Sequence, residues 1–169
     1  RLDETSLLDI IASNPAAPSP DRPRWFGLDQ LAPTALPRLA TWVVRTPDIT
    51  QTNDAASEPL GKIEPMSRGE LNWLITIPPD GSLALEGIAP TLIEWQTASH
   101  PALRLPDEKL SLVKLELFHH NPERIDRLLK SLPVDANITV NHLSAPGEPH
   151  LIAHINTPQG IRLLSGLPE

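Results

Sequence analysis

The alternation of apolar and polar residues divides most of this chain into short strands. Strand side chains point to opposite faces in turn, so a period of two residues is typical of a half-buried strand. Twenty prolines interrupt the sequence, which argues against a helical bundle. The pattern predicts strands over residues 6–12, 39–46, 71–77, 90–95, 112–118, 138–143, 151–155 and 161–164. It also predicts a short extended segment over residues 60–66.

Two helices are predicted between these strands. Apolar residues from Ile125 to Leu132 recur at intervals of three and four, which is the spacing of one helix face. Asn121 followed by Pro122 is a typical helix start, because asparagine caps the first turn and proline suits its first position. A weaker helix is predicted over 48–56, where threonine and asparagine lower the helix propensity. The strands and helices together predict an α+β fold.

The predicted elements repeat along the chain. Residues 39–95 and 112–164 both run strand, helix, strand, strand, strand. Residues 6–12, an apolar segment that contains Asp9, resemble the strand that contains Glu94. We interpret the chain as three parts: residues 1–38 as the end of an incomplete first module plus a Pro-rich connector, 39–106 as a middle βαβββ module, and 107–169 as a C-terminal βαβββ-like module.

Composition and charge exclude several classes of partner. The net charge is −7 and no run of lysine or arginine occurs, so nucleic acid and anionic membranes are poor candidates. No apolar run approaches the roughly 20 residues of a membrane-spanning helix, and we expect a cytoplasmic protein. Without cysteine, a thiol nucleophile or a cysteine-bound zinc is excluded. A homodimer is expected if residues 6–12 leave an unpaired sheet edge.

Several short phrases resemble a known family. They are Arg22-Pro-Arg-Trp-Phe-Gly-Leu-Asp29, Pro65-Met-Ser-Arg68, Pro90-Thr-Leu-Ile-Glu-Trp95, His100-Pro-Ala102 and Thr157-Pro-Gln-Gly160. With the βαβββ repeat, they resemble the glyoxalase-like domain family of the vicinal-oxygen-chelate superfamily. The resemblance implies a curved mixed sheet that forms a cup. It also implies lyase, isomerase or dioxygenase chemistry on a small molecule between modules, and an N-terminal part of the first module that is missing.

The resemblance also implies a place for a divalent metal. In that superfamily the metal ligands come from the first and last strands of the modules. The last-strand acids here would be Asp9 and Glu94, whereas the first-strand positions fall near Thr41 and Glu116 instead of histidines. Two alternatives follow: a zinc, iron, manganese or nickel site that contains Glu94 and Asp9, or a metal-free binding or sequestering protein on the same scaffold.

Strand parity predicts which side chains line the cup. We assign one set to the polar faces of their strands: Asp9, Arg45, Asn72 and Glu94. We assign the tryptophans to the opposite face, packed beneath the helices: Trp42, Trp73 and Trp95. Glu94 is then a metal ligand or general base, with Arg45 as its catalytic partner. The alternatives are a structural ion pair of Glu94 with Arg45 or Arg68, and polar faces that are simply solvated.

The remaining substrate-binding candidates surround this predicted face. Arg68 is placed to clamp an anion through two hydrogen bonds, although a surface arginine in a turn is the alternative. Trp25 and Phe26 follow the Pro-rich stretch and are predicted to roof the cup, unless they only pack a crossing loop. Asn72 belongs to the polar face. His100 comes directly after strand 90–95 and is the histidine best placed to reach the pocket.

Overall fold

The computed structural model describes residues 1–167, which form two four-stranded mixed sheets with two α-helices. The strands and helices are β1 Val43–Arg45, α1 Ile49–Ala55, β2 Lys62–Arg68, β3 Leu71–Ile77, β4 Thr91–Trp95, β5 Ser111–His119, α2 Pro122–Ser131, β6 Ile138–His142, β7 His150–Thr157 and β8 Gly160–Ser165. Short 3-10 helices lie at Trp25–Gln30, Ala84–Gly87 and Pro101–Arg104. The predicted α+β class is confirmed. Within residues 1–167, no helix has the length and apolar character needed to cross a membrane.

The two sheets contain the same succession of elements but pair their strands differently. In the first sheet the order is β1-β4-β3-β2, so the strands that flank α1 lie at opposite edges. In the second sheet the order is β6-β5-β7-β8, and the strands that flank α2 are parallel neighbours. The predicted succession is therefore observed without a repeated strand order. The three-module division remains a prediction, and residues 168 and 169 of its last part lie outside the described residues.

The core lies on the helix sides of the two sheets and α2 contributes to both halves. Leu128 of α2 packs with Val44 and Leu92 of the first sheet. Ile125, one turn earlier, packs with Leu117 of the second sheet. All these residues are less than a tenth exposed. Because one helix face supplies both clusters, α2 joins the two sheets.

The start of α2 is fixed by a side-chain cap. The Arg124 amide donates a hydrogen bond to Oδ1 of Asn121 at 3.0 Å, and Pro122 occupies the first turn, as predicted. We expect Asn121→Ala to lower the free energy of unfolding by about 1 kcal/mol, because an amide of the first turn loses its acceptor. Urea denaturation measures this loss. Asn121→Asp keeps an acceptor oxygen and is the matched control, so an equal loss in both variants would contradict the capping role.

The strand predicted over residues 6–12 is not formed. This segment runs outside both sheets, with Ile10 93% and Leu8 48% exposed. Its apolar residues have high strand propensity, but a strand also needs a hydrogen-bonded neighbour, and no other strand in residues 1–167 pairs with this segment. The predicted strand over residues 39–46 is also shorter than expected, because the Leu39 amide donates to the carbonyl of Ser165, at the end of β8, and only Val43–Arg45 form β1. A homodimer through residues 6–12 remains a prediction.

Candidate functional site

The first sheet has a face that points away from the helices, which we call the tryptophan face. Strand register defines it, because directly paired residues share a face. One row of paired residues runs from Arg45 through Ile93 and Ile75, and the next joins Trp95 and Trp73. The tryptophan face consists of Val43, Arg45, Lys62, Glu64, Met66, Arg68, Leu71, Trp73, Ile75, Ile77, Thr91, Ile93 and Trp95.

Glu94 lies on the opposite face of the sheet from Arg45. It pairs with Leu74 on the helix side. The Ile49 amide, at the start of α1, donates a hydrogen bond to Oε2 of Glu94 at 2.8 Å, and the Gln96 side chain donates to Oε1. The predicted shared face of Glu94 and Arg45 is therefore wrong. Alternation sorts residues within one strand, whereas the register between strands decides which faces coincide.

The tryptophans divide between the two sides of the sheet. Trp42 packs against both core clusters, and its Nε1 donates to the Ile88 carbonyl at 2.9 Å. Trp73 and Trp95 are cross-strand partners on the tryptophan face, with ring centroids 5.5 Å apart. The prediction that all three pack beneath the helices is correct only for Trp42.

His100 adds a third ring to this pair. Its ring centroid lies 5.9 Å from that of Trp95, at an interplanar angle of 80°. The Ala102 amide donates to Nδ1 of His100 at 3.2 Å, so the proton of the neutral ring is on Nε2. Burial and then the charge of Arg45 lower the pKa of His100, while the charge of Asp3 acts in the opposite direction. At pH 7 the neutral imidazole therefore presents Nε2–H as a hydrogen-bond donor.

The tryptophan face is positively charged in an acidic protein. Arg45, Lys62 and Arg68 project from its strands, and Arg22 lies over β2 with Nη1 3.7 Å from a Glu64 oxygen. Four cations and one carboxylate give this surface a charge of +3, whereas the whole chain carries −7. Among residues 1–167, Arg45 and Arg68 form no ion pair. Their charges are available to an anion.

Part of the tryptophan face is covered by the chain. Ile75 and Ile93 are 4% and 9% exposed, although they point away from the helices. The 3-10 turn Trp25–Gln30 is attached at the end of β3, where the Gly27 amide donates to the Gly81 carbonyl at 2.8 Å. Within this turn the rings of Trp25 and Phe26 are stacked, with centroids 5.3 Å apart. Their predicted role as a roof remains a prediction.

The other part of the face is accessible, and we call it the open end: Arg45, Trp73, Trp95 and His100. Trp73, Trp95 and His100 are half-buried, and Arg45 is exposed. The open end therefore combines three aromatic rings with one guanidinium that forms no ion pair in the described part of the chain. Of the predicted site residues, the structure brings Arg45 and His100 together here.

The other predicted residues do not join the open end. Arg68 is on the same face but on β2, three strands away from β1. Asn72 points to the helix side and is exposed, and Asp9 is exposed in the segment outside both sheets. Within residues 1–167, no three histidine, aspartate or glutamate side chains are close enough to hold one ion. Glu94 lies on the helix side of the first sheet and Asp9 outside both sheets, and a divalent metal remains a prediction.

A polar cluster on the second sheet was missing from the predicted set. Lys114 Nζ lies 2.9 Å from one oxygen of Glu116, and His154 Nε2 lies 2.6 Å from the other. Hydrogen bonds from Lys114 and then His154 lower the pKa of Glu116. Lys114 and Glu116 are two apart on β5, so their shared face can be recognised from sequence. His154 enters only through the pairing of β5 with β7, which sequence does not show.

The sequence model of one protein family, described as a glyoxalase-like domain, matches residues 1–132. The chain belongs to the glyoxalase-like domain family. No curated protein and no solved structure matches this glyoxalase-like domain. The matched residues contain the whole tryptophan face and the segment before it, whereas β6, β7 and β8 follow the match. The open end thus lies inside the part that the family shares, and the Glu116 cluster lies only partly inside it.

Proposed function

We propose that this glyoxalase-like domain binds a small organic molecule at the open end of the tryptophan face. The observation that carries the proposal is the grouping of Trp73, Trp95 and His100 on the same face as Arg45, which has no ion-pair partner among residues 1–167. Small-molecule sites are commonly lined by aromatic side chains with a few polar groups that fix orientation. Half-buried tryptophans leave part of their apolar surface exposed to water. A ligand that packs on them covers this surface.

The hydrogen bonding of His100 favours binding over proton abstraction. A general base must offer a lone pair, and the accessible one would be on Nε2. Because Nδ1 accepts the Ala102 amide proton, Nε2 already carries the hydrogen. The other tautomer would set two N–H groups against each other at 3.2 Å. Glu94, the other predicted base, contacts the start of α1 on the opposite face.

A binding or sequestering role is therefore the form of the proposal that the side chains support best. Lyase, isomerase or dioxygenase chemistry is the second candidate, and it rests on family membership. Family membership fixes the scaffold, while proteins on one scaffold carry out unrelated reactions. For this reason the first experiment tests binding before turnover.

We expect Trp95→Leu to weaken binding of small aromatic ligands by roughly two- to tenfold, because stacking on an aromatic side chain contributes about 0.5–1.5 kcal/mol. The measurement is a protein NMR titration with a panel of small aromatic acids, amides and amines. Phe118→Leu removes a ring that stacks on His150 in the second sheet and is the matched control. The proposal fails if no panel member shifts the signals of Trp73, Trp95 or His100 saturably.

A further inference from the structure

We infer that the ligand of the open end is a planar carboxylate whose acid group is held by Arg45 and by Nε2–H of His100, with its flat body against Trp95. This inference rests on the proposed binding function and adds the chemical class of the ligand. It follows from the charge, the spacing and the donor set of the open end.

Charge is the first argument. The tryptophan face with Arg22 carries +3 in a chain of −7, so an anion is attracted to this surface in particular. Arg45 has no acidic partner among residues 1–167. The charge of Asp3 acts to raise the pKa of His100. The Oδ1 atom of Asp3 already accepts hydrogen bonds from the amide and hydroxyl of Thr5. An incoming carboxylate would therefore be the partner that Arg45 lacks.

Spacing is the second argument. Arg45 pairs with Ile93, and Trp95 is two residues further along β4 on the same face. Strand geometry separates the Cα atoms of Arg45 and Trp95 by about 8 Å. An arginine side chain can cover this distance, so one small molecule can contact the guanidinium and the indole together. The His100 ring, 5.9 Å from the Trp95 ring and at 80° to it, is near enough for the same molecule to contact both rings.

The donor set distinguishes a carboxylate from a phosphate. A guanidinium offers two parallel N–H groups that match the two oxygens of a carboxylate, and neutral His100 supplies one further donor. A phosphate dianion would need additional cations. Lys62 and Arg68 are on β2, three strands and about 14 Å from β1, and cannot share an anion with Arg45 at the open end. The three aromatic rings favour a ligand with a planar body, because a planar group can stack on a ring face or pack against a ring edge.

The test uses the full chain with two acid–amide pairs, benzoate with benzamide and indole-3-carboxylate with indole-3-carboxamide, and with inorganic phosphate. Binding is followed by protein NMR and isothermal titration calorimetry. We expect at least one acid to bind at the open end at least tenfold more tightly than its amide. Arg45→Met should abolish that tenfold preference, because the acid loses a charged partner and the amide loses at most a neutral hydrogen bond, whereas Arg45→Lys should keep part of the preference. Arg162→Met, at an exposed arginine of β8, is the matched control and should change nothing.

Each other outcome counts against a stated part of the inference. Equal binding of acids and amides would overturn the carboxylate assignment and leave the proposed binding function standing. Phosphate binding tighter than either acid would also overturn it, in favour of a more highly charged ligand. Absence of binding by all four organic probes would overturn the inference, and the wider aromatic panel would then decide whether the proposed function fails with it. Circular dichroism of Arg45→Met checks its fold, which should be intact because Arg45 is exposed.

Discussion

Replacing Leu128 with alanine is expected to lower the free energy of unfolding by about 3 kcal/mol, the largest loss that we predict for a single substitution in this protein. Leu128 is fully buried in α2 and packs with Val44 and Leu92 of the first sheet. Removing its side chain leaves a cavity where α2 joins the two sheets, and the surrounding strands can fill that cavity only in part. Urea denaturation followed by tryptophan fluorescence measures the loss.

The neighbouring leucine provides the control for this prediction. Leu129 is only partly buried and packs at the border of the other cluster. Leu129→Ala should therefore cost clearly less than Leu128→Ala. A loss below 1 kcal/mol for Leu128→Ala, or equal losses for the two variants, would show that α2 does not hold the sheets together in the way the packing indicates.

The second large effect is expected for Glu94→Ala, which should lower the free energy of unfolding by about 2 kcal/mol. Ile49 is fully buried, and its amide donates to the Glu94 carboxylate. Alanine would leave that amide without its acceptor and would remove a negative charge from the start of α1, where helix geometry favours one. Glu94→Gln keeps an acceptor oxygen and should lose less.

A ligand-binding measurement distinguishes this structural role of Glu94 from the catalytic or metal-binding role that the sequence suggests. Both variants should bind aromatic acids at the open end with unchanged affinity, since Glu94 lies on the other face of the sheet. If Glu94→Ala instead had unchanged stability and lost binding, Glu94 would belong to the site after all. Chemical denaturation and the NMR titration, carried out on the same samples, distinguish these results.

Sequence predicts the elements of this fold well where the signal is local. Asn121 and Pro122 mark the start of α2 because a helix cap depends on residues within one turn. The strand around Glu94 is equally visible, since alternation is a property of one segment. Residues 6–12 show the limit of such signals. Their propensity is that of a strand, but the pairing that makes a strand lies elsewhere in the molecule and leaves no local trace.

The site was predictable only in its separate parts. Arg45 is recognisable as a candidate from its place on β1, and His100 from its place directly after β4. Arg45 shares its face of the sheet with Trp95, whereas parity alone suggests Glu94, because the parallel pairing of β1 with β4 places Arg45 opposite Ile93. A change of register by one residue would exchange the two faces. Side-chain composition cannot fix that register.

The strand order of the first sheet also has a consequence for the order of folding. In the parallel pair of the first sheet, Val43 pairs with Thr91, which is 48 residues away in sequence. In the parallel pair of the second sheet, Leu115 pairs with Ile138, which is 23 residues away. Closing the longer loop costs about 0.6 kcal/mol more conformational entropy, and contacts that are distant in sequence form slowly. We expect β1 to dock late and, as a three-residue edge strand, to open first in the folded protein. Arg45 would then reach Trp95 only in a late step of folding.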